Sequence, residues 1–244
     1  MTEKKQSPSE KAFEKKKAEK LAELEKERQQ KIEPSGVPLR PEMKQKIEVD
    51  IDKLRKNHIF VATPCYGGMV GEPYLKSMTQ TSIMFKHNNL NFTLATIANE
   101  SLVTRGRNTL VAMFLANPVY THLMFIDADI GFRPNDLVKM MHRDKEVVTG
   151  AYPKKSINWP SIHQVASTLD KDKSFDLAKH QAQYVINIKK QHRESEEIPI
   201  IDGLIPMLDS GTGFMMIKRS CIDKMVEEYP KLKYNNDLNT DPRW

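Results

Sequence analysis

The strongest constraint on the fold is a recurring pattern: short apolar runs, separated by stretches of helical period and flanked by loops rich in Gly, Pro, acids or arginines. Residues 58–62 (HIFVA) run into Thr-Pro, residues 123–126 (LMFI) run into Asp-Ala-Asp, and residues 213–217 (GFMMI) follow Ser-Gly-Thr. Runs this short, bounded by turn signals, read as strands buried on both faces. Residues 91–97 (NFTLATI) alternate with period two and predict another strand. Residues 147–152 read as extended and residues 184–188 as a further strand, in a less regular region over 153–200. Between the strands, a helix from Pro73 is expected to turn Leu75, Met78 and Phe85 inward. A second, over 107–117, carries Leu110, Met113 and Phe114 and is stopped by Pro118. A third covers 134–142, and a fourth opens at Ser220 with Ile222, Met225, Val226 and Tyr229 on one face. Strands alternating with helices predict an α/β fold with a largely parallel sheet, its globular part beginning near Asn57.

Ahead of it lies a different kind of sequence. Residues 7–31 predict an exposed, charged helix: Ser7 and Glu10 have capping-box spacing, Pro8 stands at the first helical position, and Glu and Lys recur at helical spacing. Its few apolar residues, Phe13, Leu21 and Leu24, make no strong packing face. It reads as a solvated helix, with a partner-binding or self-associating helix as the alternative. Three prolines and a glycine in residues 32–43 mark a linker. The expected organisation is therefore a charged helical extension and linker over 1–43 and an α/β domain over 44–244.

Composition excludes several classes. No run approaches the roughly 18–20 apolar residues of a membrane span, and the N-terminus has no apolar signal core. The two cysteines, Cys65 and Cys221, form neither a disulfide framework nor a zinc cluster, which fits a reducing, cytoplasmic setting. The net charge is +6, yet residues 1–33 hold ten Lys/Arg against eight Asp/Glu, so the arm is not the one-signed tail that tracks nucleic acid. The remaining positive charge suits an anionic small molecule equally well.

In open α/β sheets ligands sit at the carboxyl ends of the strands, so the loops at 63–71, 99–108, 127–132 and 210–213 carry the candidate chemistry. Asp127 and Asp129 follow a buried run with one residue between them, a spacing that lets both carboxylates reach one hard cation. A turn that caps the next helix is the alternative. Arg105 and Arg107 flank Gly106 at a helix start, a good phosphate environment or simply two solvated arginines. The loop over 63–73 has three glycines and Tyr66, which can stack on a base, but no Walker A or Rossmann fingerprint. Cys65 reads as a small filler, and the seven histidines show no paired metal spacing. The turn over 209–213 offers free N–H donors and a hydroxyl, or only an entry to a strand.

Taken in order, the strand ending Thr-Pro-x-Tyr, then SLVTRGRNTLVAMFL, THLMFIDADIGF, GAYPKK and GTGFMMIKR resemble the GT-A glycosyltransferases. The likeness is to the small family-2-like enzymes of phages and large viruses and spans residues 57–234. The resemblance implies a GT-A, Rossmann-like sheet, mostly parallel and flanked by helices. It implies transfer of a sugar from a nucleotide-diphosphate donor to an acceptor hydroxyl on a glycan, protein or nucleobase, in the cytoplasm (the host's, for a viral chain). Asp127 and Asp129 match the motif that holds Mn²⁺ or Mg²⁺ on the donor diphosphate, where the metal neutralises the leaving group. Thr63, Pro64 and Tyr66 match the loop around the base, and Arg105, Arg107 and Asn108 the segment facing nucleotide and phosphates. Gly211, Thr212 and Gly213 match the turn beside the donor sugar.

One departure stands out. Inverting members carry a further acidic motif downstream of the Gly-Thr-Gly-Phe turn, whose carboxylate acts as general base. The 31 residues after Gly213 contain no such pair: Glu227 and Glu228 fall on the last helix, and Asp237 and Asp241 in a polar tail. No catalytic base is assigned, and a truncated chain, a split gene and a domain competent only for donor binding stay open. An Asp-x-Asp after an apolar strand also opens phosphatases of the haloacid-dehalogenase type, but these carry Thr or Val where this chain has Gly131.

Overall fold

The computed structural model describes residues 49–166, 182–188 and 200–233. The expected charged helix over 7–31, the linker over 32–43, and Asp237 and Asp241 lie outside the described residues.

The described chain runs α1 (Ile51–Arg55), β1 (His58–Cys65), α2 (Glu72–His87), β2 (Asn91–Ala98), α3 (Val103–Ala116), β3 (His122–Ile126), α4 (Pro134–Arg143) and β4 (Val147–Thr149). It continues with α5 (Trp159–Ala166), β5 (Ile186–Ile188), β6 (Met207–Ser210), β7 (Phe214–Lys218) and α6 (Arg219–Glu228). Five strands form one sheet in the order β2-β1-β3-β7-β4, while β5 and β6 pair antiparallel in a separate two-stranded sheet. β1 is parallel to both β2 and β3, whereas β7 is antiparallel to both β3 and β4. Four strands thus point one way and β7 alone is reversed. The fold is a mixed, mostly parallel, Rossmann-like α/β sandwich.

Strand alternation divides the core between the two sheet faces. Ile59, Val61, Met124 and Ile126 pack with Tyr74, Met78 and Phe85 of α2 and with Leu137, Val138, Met140 and Met141 of α4. Their neighbours Phe60, Ala62, Leu123 and Phe125 pack on the other side with Leu110 and Phe114 of α3 and Ile222 of α6. Helices on both faces explain why β3 is buried at all five positions and why its sequence has no polar side. β2 forms one sheet edge, and most of its positions are partly or fully open.

Four expectations shift. Met78 and Phe85 of α2 face inward as expected, with Tyr74, Ser77 and Thr81, but Leu75 is 57% exposed, because the helical period that buries Met78 and Phe85 puts Tyr74 on their face in its place. α3 begins at Val103 rather than 107, so Gly106 lies inside the helix, where a Cβ would meet the Glu100 side chain at 3.3 Å. On α6 only Ile222 is buried, while Met225, Val226 and Tyr229 are exposed, so the predicted apolar face is not covered by described residues. The core also extends ahead of Asn57, since Leu54 of α1 is buried in it.

Candidate functional site

The site is assembled where β1 and β3 end. Because β7 runs against β3, its beginning lies at the same sheet edge: Ile126 pairs with Phe214, and the Asp127 amide donates to the Gly213 carbonyl at 2.8 Å. The turn over 210–213 precedes its strand, yet reversal of that strand brings it to the carboxyl end of β3.

Asp127 through Ile130 form a tight turn, closed by the Ile130 amide donating to the Asp127 carbonyl at 3.0 Å. Two contacts fix that turn against the start of α2. The Gly71 amide donates to the Ala128 carbonyl at 2.7 Å, and the Ser77 hydroxyl accepts from the Phe132 amide at 2.9 Å. A Cβ on Gly131 would come within 2.8 Å of the Pro73 side chain, so the turn presses directly on the helix. The two acids therefore leave a braced loop.

Each acid has a cationic partner. Arg107, in the second turn of α3, donates from Nη2 to Asp127 Oδ1 at 2.7 Å. Its guanidinium lies 5.9 Å from the centre of the Phe125 ring, and its Nε is buried without a hydrogen-bond partner among the described residues. Lys155 forms an ion pair with Asp129. That hydrogen bond and charge, with a smaller contribution from Asp127, hold the Lys155 ammonium above its ordinary pKa.

Opposite stand the glycines. A Cβ on Gly213 would come within 2.7 Å of Asp127 Oδ2 and 2.8 Å of the Tyr152 hydroxyl. One on Gly211 would run into the same hydroxyl and lie 2.7 Å from a methyl of Val185. The Gly213 amide donates to the Tyr152 hydroxyl at 3.0 Å, which leaves the phenolic O–H as a donor. Thr212, between the glycines, is half-buried.

The remaining sequence candidates are placed differently. Thr63 is fully buried and its hydroxyl bonds that of Tyr74 at 2.7 Å, so it serves the core beneath the edge. Pro64 is half-buried, and Tyr66 is 76% exposed on a short turn whose Gly67 and Gly68 both have positive φ. Arg105 is committed elsewhere: Nε and Nη2 donate to the two carboxylate oxygens of Glu100 at 2.6 and 2.8 Å. The Glu100 carboxylate also accepts from the Leu102 amide at 2.9 Å, and these bonds, Arg105 first, hold it below the usual carboxylate range. Asn108 is exposed on α3. Cys65 and Cys221 are free thiols, and burial pushes the Cys65 thiol up, as suits a filler.

Sequence reasoning missed Glu100, Tyr152 and Lys155. Glu100 had a local signal, an acid five residues before an arginine at a helix start. Tyr152 and Lys155 sit in GAYPKK, a segment that the resemblance includes, but nothing local marks these two residues within it.

Among the described residues no helix is long and apolar enough to cross a membrane. No protein-family model and no curated protein matches this chain. Among solved structures, the crystal structure of A197 from STIV is similar at 20% identity and a TM-score of 0.39, covering 69% of this chain and 68% of that chain.

Proposed function

We propose that the β1–β3–β7 edge binds the diphosphate of a nucleotide sugar with a divalent cation, and that the protein is a glycosyltransferase of GT-A type. The observation that carries this reading is the convergence of three separate segments on Asp127: Arg107 from α3, Gly213 from the entry to β7, and the braced turn after β3.

The donor set suits a hard cation. Asp127 and Asp129 offer carboxylate oxygens, and no cluster of three or more His, Cys, Asp or Glu able to hold a metal occurs among the described residues. Two carboxylates make no protein cage, but they match a Mg²⁺- or Mn²⁺-type ion that takes its other ligands from substrate phosphates and water. Bound there, the ion would neutralise charge on the departing diphosphate. Arg107 keeps Oδ1 of Asp127 engaged and so orients the carboxylate. The glycines at 211 and 213 let Tyr152, and at 213 Asp127, pack directly on the backbone, which brings the phenolic O–H beside the acids, and exposed Tyr66 offers a ring face to a base.

The test is calorimetric titration of UDP, GDP and CDP with Mn²⁺ and with EDTA, on wild-type protein and on Asp127→Ala and Asp129→Ala. Cation-dependent binding lost in both variants supports the assignment; wild-type protein that binds none of these nucleotides sinks it. A second reading, nucleotide-sugar binding without transfer, is favoured by the acids after Gly213: among the described residues these are Asp223, Glu227 and Glu228, all on α6, which follows the far end of β7. Donor hydrolysis and transfer assays separate the two, since the second reading requires binding with no turnover.

A further inference from the structure

We propose, on the reading of this edge as a cation–diphosphate site, that Lys155 is a displaceable counter-ion. It holds Asp129 while the site is empty and passes to the diphosphate when the cation takes the carboxylate.

Two carboxylates one residue apart repel each other unless neutralised, and each has its own cation here: Arg107 on Asp127 and Lys155 on Asp129. The two pairs are built differently. Arg107 is largely covered, with its side chain 20% exposed, and it belongs to a helix packed on the sheet. Lys155 has its side chain 83% exposed and reaches Asp129 from 26 positions away along the chain. The first pair is a fixture, whereas the second is held in water by a flexible stem.

The backbone that carries Lys155 is nevertheless anchored. The Gly150 amide donates to the Phe214 carbonyl at 3.0 Å and the Val185 amide to the Tyr152 carbonyl at 3.0 Å. Pro153 bridges antiparallel to Tyr184, and the Lys154 amide donates to the Gln183 carbonyl at 2.6 Å. Lys155 is therefore a mobile ammonium on a stem whose root is tied beside the site. Lys155 holds Asp129 through Oδ2, and a divalent ion at this carboxylate competes with the ammonium for the same negative charge. An exposed lysine–carboxylate pair is weak enough to yield. The released ammonium, a compact charge with three rotatable donors, remains within reach of the carboxylates, and hence of any phosphate brought to them. Lys155 would thus resist the bare cation and favour the cation that arrives with a diphosphate.

The expected result is a pair of opposed changes in Lys155→Met. Affinity for Mn²⁺ alone should rise up to about fivefold, the range expected when an exposed ion pair is removed. Affinity for GDP or UDP with Mn²⁺ should fall about tenfold, the loss of one charge-assisted bond. Lys154→Met makes the same change in net charge one residue away and should leave both affinities as in wild type. Calorimetry and Mn²⁺ electron paramagnetic resonance read the two affinities without any turnover. Lys155→Met changing neither affinity, or changing both in one direction, overturns the proposal, as do equal changes in Lys154→Met. Wild-type protein that binds no nucleoside diphosphate with Mn²⁺ overturns the site assignment and the role of Lys155 together. Wild-type binding with an unaltered Lys155→Met overturns the role of Lys155 alone.

Discussion

Arg107 Nη2 donates to Asp127 Oδ1 at 2.7 Å, so the second turn of α3 and the end of β3 hold one another in place. The pair is partly covered on both sides, with side-chain exposures of 20% and 33%. Arg107→Ala would leave the Asp127 carboxylate without its orienting partner, and unfolding stability should fall by about 1–3 kcal/mol. Mn²⁺-dependent nucleoside diphosphate affinity should fall more steeply than stability. Arg107→Lys keeps the charge but loses the planar fork, so it should recover stability better than binding. Denaturant titration and calorimetry on the two variants check this; equal binding by Arg107→Ala and wild type would refute it.

Arg105 makes the contrasting case. Both of its bonds to Glu100 lie beside the beginning of α3, with the Leu102 amide on the same carboxylate. Arg105→Ala and Glu100→Gln should therefore lower the melting temperature by freeing the start of the helix, while nucleoside diphosphate affinity stays as in wild type. Because the Glu100 carboxyl is held below its usual range, its contribution to stability is present at neutral pH and lost as pH falls through its lowered pKa. Loss of nucleotide binding in Arg105→Ala with an unchanged melting temperature would reverse the assignment and return this arginine to the phosphates.

The glycine turn yields a steric prediction. A Cβ at 213 comes within 2.7 Å of Asp127 Oδ2 and 2.8 Å of the Tyr152 hydroxyl and ring. Overpacking of this kind costs about 1–3 kcal/mol, so Gly213→Ala should destabilise the fold by roughly that amount and lose nucleotide binding. Adding Tyr152→Ala removes one of the two obstacles. The double variant should regain neither stability nor binding, because Tyr152 also packs on the core and accepts from the Gly213 amide, and Asp127 is still displaced. Thermal melts with parallel calorimetry read both, and full binding by Gly213→Ala would show that the carboxylate tolerates the methyl.

What the sequence made legible follows from where the physics is local. β1 and β3 are readable because both are short apolar runs cut off by turn residues, and Asp127 and Asp129 because they interrupt such a run. The reversal of β7 is not readable: its run, Phe214–Lys218, fits either direction, and only pairing with β3 sets it. That reversal brings Gly211 and Gly213 to Asp127, so the site's closure is a tertiary fact. Arg105 and Arg107 stand out together in the sequence, and nothing local separates them. The two flank one glycine, yet successive turns of α3 aim them at different acids, Glu100 and Asp127. Lys155 was hidden for a different reason, since its partner lies 26 residues away and loop lysines are usually solvated.

The far end of β3 yields a pH prediction. His122 begins that strand, buried, and its Nδ1 lies 2.9 Å from the Thr121 hydroxyl, while Nε2 has no partner among the described residues. Burial first, and then Lys218, lower its pKa from 6.5 to about 4, while Asp144 pulls weakly the other way. The folded protein thus keeps His122 neutral in a range where the unfolded chain protonates it. The unfolded state binds the extra proton between about pH 6.5 and about pH 4, so stability is full above that window and falls as pH drops through it. The full loss is roughly 3 kcal/mol, since each tenfold change in proton affinity between the two states is worth about 1.36 kcal/mol. Asp144 and Glu100, both held below the usual carboxylate range, act in the same direction only at lower pH. His58, which burial also lowers from 6.5, acts in the same direction below that pH, so His122→Phe should reduce the dependence between pH 6.5 and 4 without abolishing it, with little loss at neutral pH. Urea denaturation at half-unit steps from about pH 4 to about pH 8 measures both slopes. Parallel curves for wild type and variant would show that another group titrates there.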